Sequence, residues 1–162
     1  MSIIAARIDN RLLHGIVATQ WVPQYNPQRL MVIDDEYAND PTKKAAMRMA
    51  KPAGAALSII SEETALANFK AGKYDTHSVF IVTKSPRTLV HVMETGRSIP
   101  CVIVGGTVEP KGDESAKQVS RRAYVFDEDV DDYRTLAQGG SVITVQYTPA
   151  DKADPLSALI DL

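Results

Sequence analysis

Runs of β-branched and apolar residues recur along this chain, and helix-capping grammar separates them. "SIIAARI" (2–8), "RLMVIDD" (29–35), "AALSII" (55–60), "HSVFIVTK" (77–84) and "IPCVIVGG" (99–106) read as strands, with "RAYVF" (122–126) and "SVITVQYT" (141–148) as a sixth and a seventh. "DPTKKAAMRMAK" (40–51) opens a helix with Asp40 as its cap and Pro41 at the first position, and Pro52 and Gly54 end it. "SEETALANFKAG" (61–72) and "SPRTLVHVMETG" (85–96) each run from a serine cap to a closing glycine. "DEDVDDYRTLAQGG" (127–140) carries acids in its first turn, where the helix dipole favours them. Strand and helix therefore alternate, and the strands are apolar on both faces. That pattern predicts an α/β fold: a doubly wound, mainly parallel, seven-stranded sheet with helices on both faces. The 162 residues suit a single domain over 1–162, with no internal repeat or linker. The tail from Pro149 carries no such signal and is expected to fray or to pack against a neighbour.

Charge narrows the function classes. Eighteen basic and twenty acidic residues interleave along the chain and leave a formal charge of −2, which gives no case for a nucleic-acid surface. No apolar run approaches the ~18 residues a membrane span needs, and no signal peptide opens the chain. A cytoplasmic protein without direct membrane insertion is expected, meeting a membrane only through a partner. Cys101, the single cysteine, sits in "IPCVIV" and is expected to be buried and structural.

In a doubly wound sheet, ligands gather at the carboxyl ends of the strands. Three loops fall there: "DNRLLHG" after the first strand, "DDEYAND" after the second and "GGTVEPKGDES" after the fifth. The first sets His14 beside Arg7, Asp9 and Arg11. A histidine so placed could be a surface hydrogen-bonding residue, a metal ligand, a hydrolase base or a phosphate-carrying nucleophile. Metal binding is poorly served, because His14, His77 and His91 are scattered and no cysteine stands at ligand spacing. A hydrolase base needs a nucleophile, and no G-x-S-x-G elbow is present. The phosphate carrier fits best. An unperturbed imidazole is largely neutral at pH 7, with one nitrogen free to attack phosphorus. Arg7 and Arg11 offer permanent charge and forked donors. Asp9 can accept from the other ring nitrogen or from an arginine. Asn10, Leu12, Leu13 and Gly15 would form the phosphate loop, through main-chain N–H groups at a helix start and close backbone approach at the glycine. Asp34 and Asp35 are expected as supporting partners of loop arginines or backbone donors; Arg7 is expected to meet the phosphoryl oxygens with Arg11 or else to anchor the loop against one of these aspartates. No metal or cofactor is expected.

"RIDNRLLHGIVATQWV" resembles the active-site segment of the IIB subunit of the mannose/fructose/sorbose class of the bacterial sugar phosphotransferase system. The family pattern is R-I-D-x-R-L-x-H-G-Q-V followed by W-V. "MVIDDEYANDPTKKAAMRMAKPAG" resembles the family's segment after the second strand, and the likeness extends more weakly through "SPRTLVHVMETG" and "DEDVDDYRTLAQGG". Two positions depart from it: Ile16 stands where the family has Gln, and "VIVGGT", with Gly105 and Gly106, stands where it shows Asn-x-Gly. The resemblance implies a seven-stranded sheet with one antiparallel strand. It implies that His14 takes a phosphoryl group from a phosphohistidine on the partner IIA protein or domain. His14 then passes it to a hexose or amino sugar bound in the membrane IIC–IID complex, to which the subunit is peripheral. A homodimer is left open.

"VIDDE" at the end of a strand also suggests a receiver-like signalling domain phosphorylated on an aspartate. A receiver has its acidic pair after the first strand and its acceptor after the third. Here the pair follows the second strand and the third ends "SIISEE", so the order does not fit.

Overall fold

The computed structural model describes residues 2–162. Its first strand, β1 (Ile3–Asp9), leads through a loop into a helical run over residues 15–25. The middle of that run, Val17–Trp21, is wound as a π-helix, and α1 (Val22–Tyr25) follows it directly. Then come β2 (Arg29–Ile33), α2 (Asp35–Asn39), α3 (Pro41–Arg48), β3 (Ala56–Ile60), α4 (Glu62–Lys70), β4 (Val79–Thr83), α5 (Pro86–Glu94) and β5 (Cys101–Gly106). The chain ends with β6 (Ala116–Ser120), β7 (Ala123–Phe126), α6 (Val130–Gln138), β8 (Val142–Val145) and β9 (Asp154–Pro155).

The helix starts follow their capping chemistry. Asp40 accepts from the N–H groups of Thr42 and Lys43, Ser61 from Thr64 and Ser85 from Arg87, so orphan first-turn donors are satisfied by side chains. Asp34 does the same for Tyr37, which turns "DDEYAND" into the short helix α2 rather than a loop.

The sheet has seven strands in the order β3-β2-β4-β1-β5-β8-β9. Pairs β1–β4, β1–β5, β2–β3, β2–β4 and β5–β8 are parallel, and β9 pairs antiparallel with β8. The class is as the sequence predicts and the strand expected at 141–148 joins the sheet as β8, but one expected strand is displaced and one strand is unexpected. The sixth expected strand, around 122–126, lies outside the main sheet. It forms β7 of a two-stranded antiparallel hairpin with β6, a stretch that the sequence reading assigns to no element. The seventh strand of the sheet comes instead from the tail. Thr144 faces Pro155 and Val145 faces Asp154, and Leu156 beyond them is fully buried. The tail neither frays nor waits for a neighbour, because its backbone completes the sheet edge and its leucine enters the core.

Alternation along the strands splits the core into two layers. Ile8, Ile81, Phe69, Leu89, Val92, Tyr133 and Leu136 pack on the α4–α5–α6 side. Ala5, Leu12, Leu13, Val17, Trp21, Val32, Phe80, Val82 and Ile103 pack on the side of α3 and the 15–25 helical run. Arg7 shares the pleat of Ala5 and so points at Trp21. Cys101 is half-buried at the first position of β5, its sulfur 3.4 Å from the Tyr25 hydroxyl, rather than sealed mid-strand.

The tail's role is open to measurement. Leu156→Ala removes a side chain with no exposed surface, so it should cost about 2–5 kcal/mol of unfolding free energy. A urea midpoint unchanged from the wild type would show that the tail is not part of the core.

Candidate active site

The middle strand β1 ends between the ends of β4 and β5, and the site is built there. Its foundation is Arg7, which has no exposed surface. A guanidinium cannot shed its proton at any ordinary pH, so burial demands a partner for each of its faces. Its Nε donates to Asp9 Oδ2 at 3.0 Å, and its two terminal nitrogens donate to the carbonyls of Gln146 (3.1 Å) and Tyr147 (3.0 Å). The Trp21 ring lies 5.1 Å from the guanidinium carbon and the Tyr147 ring 5.7 Å, both within cation–π range. The indole Nε1 of Trp21 donates to the same Tyr147 carbonyl at 2.8 Å. A Cβ on Gly105 would fall inside the Arg7 guanidinium, so β5 needs a glycine at that position for the arginine to lie flat.

Asp9 then carries the site outward. Its Oδ2 takes the Arg7 Nε and also meets His14 Nε2 at 2.9 Å, while its Oδ1 accepts the Arg11 N–H at 2.9 Å. The turn closes through Leu12 N–H donating to the Asp9 carbonyl at 3.1 Å. Leu12 adopts φ +58°, left-handed backbone that costs a leucine of order 1–3 kcal/mol. Its side chain is fully buried beside Leu13, and that burial, worth about 1.5–3 kcal/mol, offsets the strain. Leu12 and Leu13 thus serve the loop as core anchors and through their backbone. Gly15 opens the helical run, and Ala18 N–H donates to the His14 carbonyl at 3.0 Å. The imidazole therefore sits at the dipole-positive end of that run, where unpaired N–H groups favour an anion.

The electrostatics follow from burial and pairing. Burial by itself would raise the Asp9 pKa. The His14 hydrogen bond, the Arg7 charge and the Arg11 N–H outweigh it and hold the carboxyl below its ordinary range. Burial lowers the Arg7 pKa from its usual value, opposed by the Asp9 charge and hydrogen bond. An ionised Asp9 can only accept, so His14 Nε2 must carry the proton in that contact. The neutral ring then keeps its lone pair on Nδ1. That atom makes no hydrogen bond to the described residues, and it is not among the buried polar atoms left without a partner. His14 as a whole is only 9% exposed.

The other expected residues divide. Arg11 is exposed, and its side chain takes part in none of the ion pairs among the described residues. Asn10 donates its N–H to the Gly106 carbonyl at 3.0 Å, tying the loop to β5. Asp34 and Asp35 stand apart from His14, because β4 lies between β1 and β2. Asp34 caps α2 and lies 3.7 Å from Lys84 Nζ, and Asp35 Oδ1 accepts the Glu62 N–H at 2.9 Å. Both serve backbone donors. Arg7, expected to meet phosphoryl oxygens or to anchor against one of these aspartates, instead directs its donors to Asp9 and to the two carbonyls just beyond β8. Sequence reasoning missed the carbonyls of Gln146 and Tyr147. The carboxyl-edge rule, applied to "SVITVQYT" as well as to the first, second and fifth strands, would have pointed to them.

The sequence matches the family described as "PTS system sorbose subfamily IIB component" over residues 3–162. The chain belongs to this family. Among its relatives, the sorbose-specific EIIB component of Lacticaseibacillus casei is 29% identical over 161 residues, covering 99% of this chain and 96% of that protein. The mannose-specific EIIAB component of Escherichia coli K12 is 29% identical over 162 residues, all of this chain and 48% of that longer protein. The crystal structure of the IIBSor domain of the sorbose permease from Klebsiella pneumoniae superimposes with a TM-score of 0.88 at 27% identity, covering 99% of this chain and 97% of the other. This IIB chain is accordingly a phosphotransferase component of sugar transport, and the receiver-like alternative is set aside. No helix among the described residues is long and apolar enough to cross a membrane.

Two outcomes test the buried network. Asp9 has a lowered folded pKa, so its stabilisation is complete above the unfolded value near 3.8 and is lost as pH falls through the folded value. The stability difference between wild type and Asp9→Asn should therefore shrink below about pH 4, read from urea unfolding at several pH values. Gly105→Ala should destabilise by about 1–3 kcal/mol through overpacking, with the Arg7 side chain displaced. A thermal midpoint equal to the wild type's would show that Gly105 is not needed for this seat.

Proposed function

We propose that His14 is the phosphoryl carrier and that Nδ1 is the atom that carries the group. The observation that supports this most is the contact of Asp9 with Nε2, which leaves Nδ1 as the nucleophilic lone pair. In the first transfer, Nδ1 attacks the phosphorus of a phosphohistidine on IIA as the donor's P–N bond breaks. The ring becomes positive as Nδ1 is loaded, and the anionic Asp9 beside Nε2–H stabilises that charge. In the second, a hydroxyl of a hexose or amino sugar held by IIC–IID attacks phosphorus and gives up its proton to solvent, and the P–Nδ1 bond breaks with its electron pair returning to the ring. Arg7 holds Asp9 in place and touches no reacting atom. Arg11 is the exposed cation placed to meet the phosphoryl oxygens, and the first N–H groups of the helical run add donors. The fused EIIAB relative, with IIA and IIB in one chain, supports IIA as the donor. Both exchanges use the surface around His14, so donor and membrane acceptor bind in turn, through modest and short-lived interfaces.

His14→Ala should fold as the wild type does and take no label from phosphorylated IIA. Long-range 1H–15N correlation on the loaded wild type should place phosphorus on Nδ1, and phosphorus on Nε2 would refute the Asp9 argument. Arg11→Ala should slow transfer from IIA by ~10²–10³-fold, as loss of one transition-state donor does. Arg11→Lys should also be impaired, because the charge remains but the fork is lost. Transfer by Arg11→Ala within about twofold of wild type would remove Arg11 from the site.

A further inference from the structure

The tip of the β6–β7 hairpin carries Arg121 and Arg122, two adjacent exposed arginines outside the His14 loop. Neither takes part in an ion pair among the described residues, where Arg7, Arg87, Arg97 and Arg134 are paired. Two cavities meet at this tip. One, of about 240 Å³, is bounded by Asp9, Asn10 and Arg11 on the loop side, with Glu109 as its other carboxylate. The other, of about 530 Å³, is bounded by Ile16, just beyond His14. Arg121, Arg122 and Tyr147 line both. The hairpin tip thus shares cavities with residues 9–11, before the histidine in the chain, and with Ile16, after it.

Arg122 is tied to the site by two routes. Its carbonyl accepts the Thr107 N–H at 2.9 Å, and the neighbouring Gly106 carbonyl accepts the Asn10 N–H at 3.0 Å. A Cβ on Gly106 would come within 3.2 Å of the Asn10 side chain and 3.7 Å of the Arg122 carbonyl, so the loop, β5 and the hairpin converge on that glycine. The second route is the Tyr147 ring. Its two cation contacts are Arg7 at 5.7 Å and Arg122 at 4.2 Å, while its carbonyl is held by Arg7 and Trp21. The buried arginine that orients Asp9 therefore also fixes the platform on which Arg122 rests. Arg11, Arg121 and Arg122 around one small cavity repel one another, and an arriving dianion relieves that repulsion.

We propose that Arg122 is a second cation of the phosphoryl site, held on the Tyr147 ring so that its guanidinium meets the phosphoryl oxygens once His14 is loaded. This rests on His14 as the carrier, and the test separates the two. The protein is loaded with phosphoramidate, and in parallel with phosphorylated IIA. In the first reaction Nδ1 attacks phosphorus, the P–N bond of the reagent breaks, and protonated nitrogen leaves as ammonia. The phosphoryl group is then titrated by 31P NMR in the isolated protein, a readout that no partner contact can move. A phosphoryl group has its second pKa near 6, and a neighbouring cation lowers it. Arg122→Gln should raise the midpoint by about half a unit or more, allowing for solvent screening at an exposed arginine. Arg122→Lys should restore most of the shift, and Tyr147→Leu, which keeps the carbonyl but removes the ring, should raise the midpoint by an intermediate amount. A normal phosphohistidine signal with equal midpoints in wild type and Arg122→Gln would overturn the role of Arg122 and leave the carrier assignment standing. Absence of a phosphohistidine signal at His14 in the wild type with either donor would overturn both.

Discussion

The buried guanidinium of Arg7 is the constraint on which the rest of the site depends. Removing one partner from such a charge typically costs 3–5 kcal/mol, so its ligands are held firmly. One is the Asp9 carboxylate, and two are the carbonyls of Gln146 and Tyr147 just beyond β8. Trp21 lies against it, and Gly105 makes room for it. Once Arg7 is satisfied, Asp9 has little freedom, and its other contacts set the His14 ring and the Arg11 backbone. The histidine loop inherits its shape from a buried strand residue.

The fold class was legible in the sequence because its signals are local. Serine and aspartate caps, closing glycines and doubly buried strands mark the elements of the parallel core one by one. β9 was not legible, because a two-residue strand is defined by its partner and "ADPLSALI" has no period of its own. The β6–β7 hairpin was half visible: β7 has an apolar pattern, whereas β6, "AKQVS", faces solvent and reads as loop. For the site, "RIDNRLLHG" showed which chemical groups gather, because they lie within eight positions. It could not show which oxygen meets which nitrogen. Asp34 and Asp35 were drawn towards Arg7 by charge alone, but strand order puts β4 between them. Sign and sequence proximity identify candidates, and topology decides which of them meet.

The loop also illustrates how strain and burial are traded. Leu12 accepts an unfavourable φ because its side chain closes the core under the histidine. A glycine would relax the backbone there, yet it would give up the buried leucine and add freedom to the unfolded chain. The same residue that bends the loop therefore also fastens it down.

The carbonyls that complete Arg7 lie 139 and 140 residues further along the chain. During synthesis, β1 emerges before its partners, and its arginine has no full set of them until the residues just beyond β8 have left the ribosome. Contacts that span most of a chain are slow to close, and the contacts rewarding that closure come late. A partly made chain can pair β1 with β4 and β5 yet still lack the seat that orients Asp9. The geometry of the histidine loop thus depends on residues 146 and 147, and a product ending before β8 would carry every loop residue without the seat that orients Asp9.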